Sequence, residues 1–144
     1  MKVLFDTSVL VASLVAKHPH HQRAMAVIER VLKGSDSAVV AAHALVETYS
    51  VLTRLPVTPR IGASSAHQLL RENILAHCEI VALTAREHER LLTKLAGLSI
   101  DGGASYDAIH AACAQKAAVD RLYTFNVRDF QRVAPELEAK IVAP

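Results

Sequence analysis

The fold class this sequence predicts is α/β: a three-layer α/β/α domain around a mostly parallel central sheet. Three observations carry that expectation. Short apolar runs that suit β-strands recur along the chain: Met1–Asp6, Ala38–Ala41, Glu79–Leu83 and Arg121–Phe125. The segments between them are longer and place apolar residues at helical spacing, and strands alternating with helices build a parallel sheet covered on both faces. The chain has 144 residues, of which 51% are apolar, a size and composition that suit one core spanning residues 1–144.

Taken in order, MKVLFD is a β-type run that closes on the carboxylate Asp6, and Thr7 or Ser8 can cap a helix through Val9–Ala16. The segment His18-Pro19-His20-His21 interrupts it. A second helix spans His20–Leu32, with Ala24, Val27, Ile28, Val31 and Leu32 following the 3.6-residue period. Gly34–Ser37 is a turn before the strand Ala38–Ala41. The helix His43–Leu55 is ended by Pro56 and Pro59. A helix over Ser64–His77 leads into the strand Glu79–Leu83, and Thr84-Ala85-Arg86-Glu87 has the residues of a capping box opening a helix to Leu95. Gly97, Gly102 and Gly103 mark an irregular loop. Ser105 can cap the helix Tyr106–Ala118, and the strand Arg121–Phe125, a helical turn at Val127–Gln131 and an apolar run at Lys140–Val142 complete the chain.

Composition narrows the functional classes. Cys78 and Cys113 stand far apart without CxxC spacing, which suits small buried hydrophobes in a reducing compartment rather than a disulfide framework. The apolar run Val9–Ala16 is too short for a membrane span, which takes about 20 residues, and nothing at the N-terminus has the pattern of a signal peptide. The expected setting is therefore cytoplasmic, with no membrane partner. Sixteen Lys and Arg against fourteen Asp and Glu give a net charge of +2, which permits a nucleic-acid partner without arguing for one.

The positions of the acids carry more information. Asp6 has no charged residue between it and Lys17, Glu47 is the only formal charge from Ala38 to Thr53, and no Lys or Arg follows Asp107 until Lys116. Each lies among apolar residues that must pack. Burying an ionised carboxylate calls for a pKa shift, a cation or a metal. No segment supplies a local cation, so if the three acids converge, a divalent ion with hard oxygen ligands, Mg²⁺ or Mn²⁺, is the simplest partner. Singly, each acid also has an ordinary reading: Asp6 as a helix cap, Glu47 as an exposed helix residue, and Asp107 as a first-turn acid favoured by the helix dipole. In parallel sheets ligands bind beyond the carboxyl ends of strands, which directs attention to Asp6 after the first strand and to Asn126 and Asp129 after the fourth.

Four segments in order, DTSVL at Asp6–Leu10, Glu47 in the helix after the second strand, YDAIHAA at Tyr106–Ala112 and TFNVRDF at Thr124–Phe130, resemble the PIN-domain ribonucleases, most closely the VapC-type toxins of bacterial toxin–antitoxin pairs. The resemblance covers nearly the whole chain. It implies a toxin endoribonuclease that hydrolyses RNA phosphodiester bonds, in tRNA or ribosomal RNA, leaving a 5′-phosphate and a 3′-hydroxyl. It further implies a cognate antitoxin and a homodimer as partners, and metal ligation by Asp6, Glu47 and Asp107. Thr7 or Ser8 helps to organise the site. The last motif commonly supplies a fourth acid where this chain has Asn126, which offers a carbonyl oxygen but no charge, and Asp129 is the nearest compensating carboxylate.

Several other residues have two readings. His110, one turn from Asp107, can contact substrate or move a proton, or be a packed, hydrogen-bonded histidine; His43 shares the second reading. His18, His20 and His21 suit a surface loop better than a transition-metal site. Arg54, Arg60, Arg121, Arg128 and Arg132 are candidates for phosphate contacts, with Arg128 the first choice for its place in the last motif. A phosphatase of the haloacid dehalogenase type needs a second aspartate two residues after the first, and Asp6-Thr7-Ser8 lacks it. The rival reading is a catalytically degenerate PIN-like module that binds RNA or protein, its lost chemistry signalled by Asn126.

Overall fold

The computed structural model describes residues 1–144. Five strands, β1 (Lys2–Phe5), β2 (Ser37–Ala41), β3 (Glu79–Val81), β4 (Arg121–Tyr123) and β5 (Ile141–Val142), form one sheet in the order β3-β2-β1-β4-β5. Every pairing is parallel, with Leu4 opposite Val39 on one side and opposite Leu122 on the other. Strands in such a sheet are covered on both faces, which is why β1 and β2 read as apolar runs without polar alternation.

The helices are α1 (Thr7–Leu14), α2 (His21–Lys33), α3 (Ala42–Arg54), α4 (Ala63–Leu70), α5 (Ala85–Gly97), α6 (Ala104–Lys116) and α7 (Val127–Val133). The chain winds outward from β1 through β2 to β3, then returns across the sheet to β4 and continues to β5. With right-handed crossovers, that reversal puts α1–α4 on one face and α5–α7 on the other. The contacts agree: α1 packs on α2 and α3, α3 on α4, and α6 on α5 and α7. The reversal falls between β1 and β4, so their carboxyl ends open a crevice at the topological switch point.

α1 is buried over most of its surface because it lies between two apolar clusters. Val9, Leu10 and Ala12 join the main core, while Val11 packs with Val15, Leu52 and Ala66 in a second cluster. The helix also starts earlier than its sequence suggests. Thr7 is already helical and Asp6 takes the cap position, but the Asp6 side chain makes no capping bond, because its carboxylate is engaged elsewhere. Thr7 and Ser8 are therefore inside the helix and do not cap it.

Other boundaries move for equally local reasons. The expected helix Ser64–His77 is α4 followed by a π-helical turn at Arg71–Leu75, where the Asn73 side chain donates to the Leu69 carbonyl at 2.9 Å. α6 begins at Ala104 with Gly103 at the cap, and the Ser105 hydroxyl turns back to the Gly102 carbonyl instead of capping. β4 stops at Tyr123, and the amide of Phe125 goes to the Ser8 hydroxyl rather than to a strand. The apolar run at Lys140–Val142 supplies the edge strand β5, entered through a 3₁₀ turn at Pro135–Lys140.

The capping box opening α5 forms in full. The Thr84 hydroxyl accepts from the Glu87 amide, and the Glu87 carboxylate accepts from the Thr84 amide and from Lys116. Lys116 and the Thr84 groups hold the Glu87 carboxyl down to about 2. Cys78 and Cys113 are free thiols, pushed up to about 11 by burial, as befits small packed groups. No helix is long and apolar enough to cross a membrane.

The core rests on the central strand, where Leu4 is fully buried. Leu4→Ala should lower the unfolding free energy by about 2–5 kcal/mol. Val46→Ala, at a helix position 71% exposed, should change it by no more than about 0.5 kcal/mol. Urea denaturation of both variants checks the contrast, and equal losses would contradict this placement of the core.

Candidate active site at the switch point

Asp6 enters the crevice as the residue immediately after β1, where its amide donates to the Tyr123 carbonyl at 3.0 Å. Its side chain is only 3% exposed as part of the residue. One carboxylate oxygen, Oδ2, accepts from Ser8 Oγ at 2.6 Å and from Thr124 Oγ1 at 2.7 Å. The other, Oδ1, accepts no hydrogen bond from the protein; the nearest cationic partner is His110 Nε2 at 4.0 Å. Two hydroxyls thus fix the carboxylate's orientation and leave one oxygen open to the crevice.

Both hydroxyls are committed further. Ser8 Oγ accepts from the Phe125 amide at 3.1 Å, and Thr124 Oγ1 accepts from the Asn126 amide at 2.9 Å. The chain leaving β4 is thereby tied to the carboxylate leaving β1. Neither Thr124 nor Phe125 stands out from sequence as a site residue, since a threonine ending a strand and a phenylalanine in an apolar run are common features. Their positions inside the TFNVRDF motif are the one available signal.

Glu47 reaches the crevice from α3 and Asp107 from α6. Asp6, Glu47, Asp107, Asn126, Thr7 and Ser8 line one cleft of about 520 Å³, so the dispersed acids do converge on one place. Glu47 is held by two histidines, His43 Nε2 at 3.1 Å and His110 Nε2 at 3.3 Å. The His110 hydrogen bond and charge, joined by His43, keep the Glu47 carboxyl below its ordinary range against the opposing effect of burial. His110 is 1% exposed and lies 3.4 Å from Thr7 Oγ1. Burial works to lower its pKa, but the Glu47 bond and the charges of Asp6, Glu47 and Asp107 raise it on balance. It is thus a packed histidine, hydrogen-bonded through Nε2 beside the acids, while its buried Nδ1 has no partner.

Asp107 has no hydrogen-bonding partner for its carboxylate. Burial first, then the charges of Asp6, Asp129 and Glu47, push it up to about 6 despite the opposing effect of His110. This surplus negative charge, together with the open Asp6 oxygen, fits a hard divalent cation in the chemistry of its donors. No three of the acidic, histidine or cysteine side chains already sit at single-ion coordination geometry. Both histidines contact Glu47 Oε2, so Glu47 Oε1, like Asp6 Oδ1, is not held by them, and Asp107 accepts no hydrogen bond; these three acids are the candidate donors.

The remaining sequence candidates sit farther out. Asn126 is exposed at the cleft wall. Asp129 does not line the cleft but is near enough for its charge to raise Asp107. Arg128 is exposed, forms no ion pair and does not line the cleft, so it has no contact with the acids. His18 and His20 do line the cleft, whereas His21 turns away to the Ala12 carbonyl. The surface-loop reading of that segment is therefore incomplete: His18 and His20 line the cleft, and His21 opens α2 with a part-buried ring.

The chain is similar to known proteins along most of its length. Residues 3–135 match the family model described as PIN domain. The chain is 38% identical over 136 residues to Ribonuclease VapC40 of Mycobacterium tuberculosis, covering 92% of this chain and 95% of that protein. Among solved structures, Mycobacterium tuberculosis VapC20, described as a Sarcin-Ricin loop cleaving toxin, superposes with a TM-score of 0.69 at 20% identity, over 88% of this chain and 92% of that one. VapBC2 from Rickettsia felis, solved bound to a DNA fragment from their promoter, gives a TM-score of 0.68 at 18% identity, over 100% and 98% of the two chains.

The raised Asp107 group has a consequence for stability. Its folded pKa lies above its ordinary value of 3.8, so its ionisation opposes folding. Stability contributed by its protonated form is complete below pH 3.8 and is lost as pH rises through about 6. With solvent screening of a partly exposed group allowed for, Asp107→Asn should stabilise the metal-free protein at pH 7 by about 1 kcal/mol. The gain should vanish below pH 3.8. Urea midpoints in EDTA at both pH values measure it, and a destabilised variant at pH 7 would contradict the charge balance described.

Proposed function

The chain belongs to the PIN-domain family, and on that premise we propose that it is a Mg²⁺- or Mn²⁺-dependent endoribonuclease, the toxin of a toxin–antitoxin pair. The observation that carries the reading is the state of Asp6. A nearly buried carboxylate has one oxygen saturated by Ser8 and Thr124 and the other left open, in a cleft shared with Glu47 and Asp107. A residue that served only as a helix cap would direct its oxygens to backbone amides, and Asp6 makes no such bond.

In this reading Asp6, Asp107 and Glu47 would hold the cation. A bound divalent cation supplies Lewis acidity, activating water and offsetting the negative charge that gathers on the phosphate in an in-line displacement. The protein's contribution is placement. Ser8 and Thr124 orient Asp6, His43 and His110 hold Glu47 at the cleft wall, and Thr7 supports His110. Asn126 brings an uncharged amide to the same wall, where it can orient water or substrate without adding to the acid repulsion. We assign Arg128, exposed on α7 outside the cleft lining, to phosphates farther along an RNA strand.

The toxin assignment draws on the relatives: VapC40 is named a ribonuclease and VapC20 a loop-cleaving toxin. We extend it to a tRNA or ribosomal RNA target, a protein antitoxin, a homodimer and a cytoplasmic setting, with residues 1–144 acting as one PIN-like domain.

Incubating the purified protein with total RNA, with and without Mg²⁺ or Mn²⁺, tests the proposal. Discrete, metal-dependent fragments are expected from the wild type. Thr124→Val keeps the shape but removes the hydroxyl that orients Asp6, and should cost about 10–100-fold in activity or metal affinity. Asp6→Asn should cost at least as much. Intact RNA under every condition, from protein shown to be folded, would favour the degenerate binding module instead.

A further inference from the structure

The acids occupy only part of the cleft. Another part of its wall is built from His18, Pro19, His20 and Phe125, contributed by the α1–α2 loop and the segment after β4. The His20 ring stacks on Phe125 with centroids 4.5 Å apart and planes 18° from parallel. His18 lies at 5.8 Å from His20 with its ring tilted by 49°, and His18 Nδ1 accepts from the His20 amide at 3.1 Å. Burial, then the neighbouring His20 and His21, hold the His18 pKa below its ordinary value, so this ring joins the wall uncharged at neutral pH. The Arg23 guanidinium lies 5.5 Å from the Phe125 centroid and is anchored by two hydrogen bonds to the Pro144 carbonyl.

A wall of rings beside a cluster of carboxylates divides the cleft into two chemistries. The acid end suits a cation and the phosphate it carries, and offers nothing to a nucleobase. The ring end offers flat π-faces, which every base can stack on whatever its sequence. The two ends are held in register by one hydroxyl: Ser8 Oγ donates to Asp6 and accepts from the Phe125 amide. A nucleotide whose phosphate lies over Asp6 therefore has a ring surface at a set place beside it.

We propose that the stacked His20–Phe125 pair, with Pro19 beside it, is a platform for one unpaired base of RNA next to the scissile phosphate. The inference rests on the nuclease reading above and adds to it a substrate requirement: the cut lies where a base is free to leave its own stack.

The test is a cycle between protein and RNA. A single-stranded oligoribonucleotide spanning a mapped cut is prepared intact and with an abasic unit at each of the two nucleotides flanking the scissile phosphate. Wild type, His20→Ala and His20→Phe are compared by kcat/KM, with thermal unfolding checked for all three. Stacking of one base predicts that the abasic unit at one flank slows wild type about tenfold. His20→Ala should lose about as much on intact RNA and nothing further on that abasic substrate, while His20→Phe, which keeps a ring, should recover most of the activity that His20→Ala loses. Losses that multiply, or a His20→Ala variant as active as wild type, would overturn the platform and leave the nuclease reading standing. A wild type that cuts none of the oligonucleotides, with total RNA equally intact, would remove both.

Discussion

A carboxylate as enclosed as Asp6 has to be answered by donors or by a cation, and the way it is answered organises this molecule. Thr124 from the end of β4 and Ser8 from the first turn of α1 both donate to the same oxygen. β1 and β4 are the strands between which the chain reverses its direction of winding, so the two hydroxyls close the one gap in the sheet where neighbouring connections leave to opposite faces. The same bonds end β4 at Tyr123, draw Phe125 and Asn126 to the cleft wall and leave Asp6 Oδ1 without a partner. Thr7 and His110 extend the arrangement inward. Four of the six buried polar or charged residues, Asp6, Thr7, His110 and Thr124, belong to this one cluster, so most of the buried polarity lies at the switch point.

The cluster is not electrostatically settled. Asp107 accepts no hydrogen bond and is pushed up to about 6 by burial and by the neighbouring acids, while Glu47 is kept ionised by His43 and His110. A cluster of acids arranged this way opposes folding, a relation between stability and a preorganised site that is common in proteins. Asn126 fits the same account: a fourth carboxylate on that wall would add to a repulsion that Asp107 already registers.

The asymmetry of the cleft gives the site direction. Carboxylates from β1, α3 and α6 gather at one part, and the α1–α2 loop lays its rings on the residue after Thr124 at another. A polymer bearing both phosphates and bases can satisfy both parts at once, whereas an inorganic anion or a free nucleobase satisfies one. Family membership places the chain among PIN-domain proteins with ribonuclease relatives; the ring wall is built from the α1–α2 loop and the segment after β4.

By itself the sequence determined the order of strands and helices, the capping box at Thr84–Glu87, the free cysteines and the unusual settings of Asp6, Glu47 and Asp107. These are local properties: apolar period, turn chemistry and the absence of a nearby cation are all written within a few residues. The four motifs also carried the family, because their order and spacing survive without any coordinate. The tertiary structure decided what depends on residues distant in the chain. Thr124 became an Asp6 partner across 118 residues, and Glu47 and His110 met across 63. Arg128, the first choice for phosphate on sequence grounds, does not line the cleft, while His18 and His20, read as ordinary loop residues, do. A side chain's chemistry is fixed by its type, but its partners are set by which strand ends the topology brings together, and no local pattern encodes that.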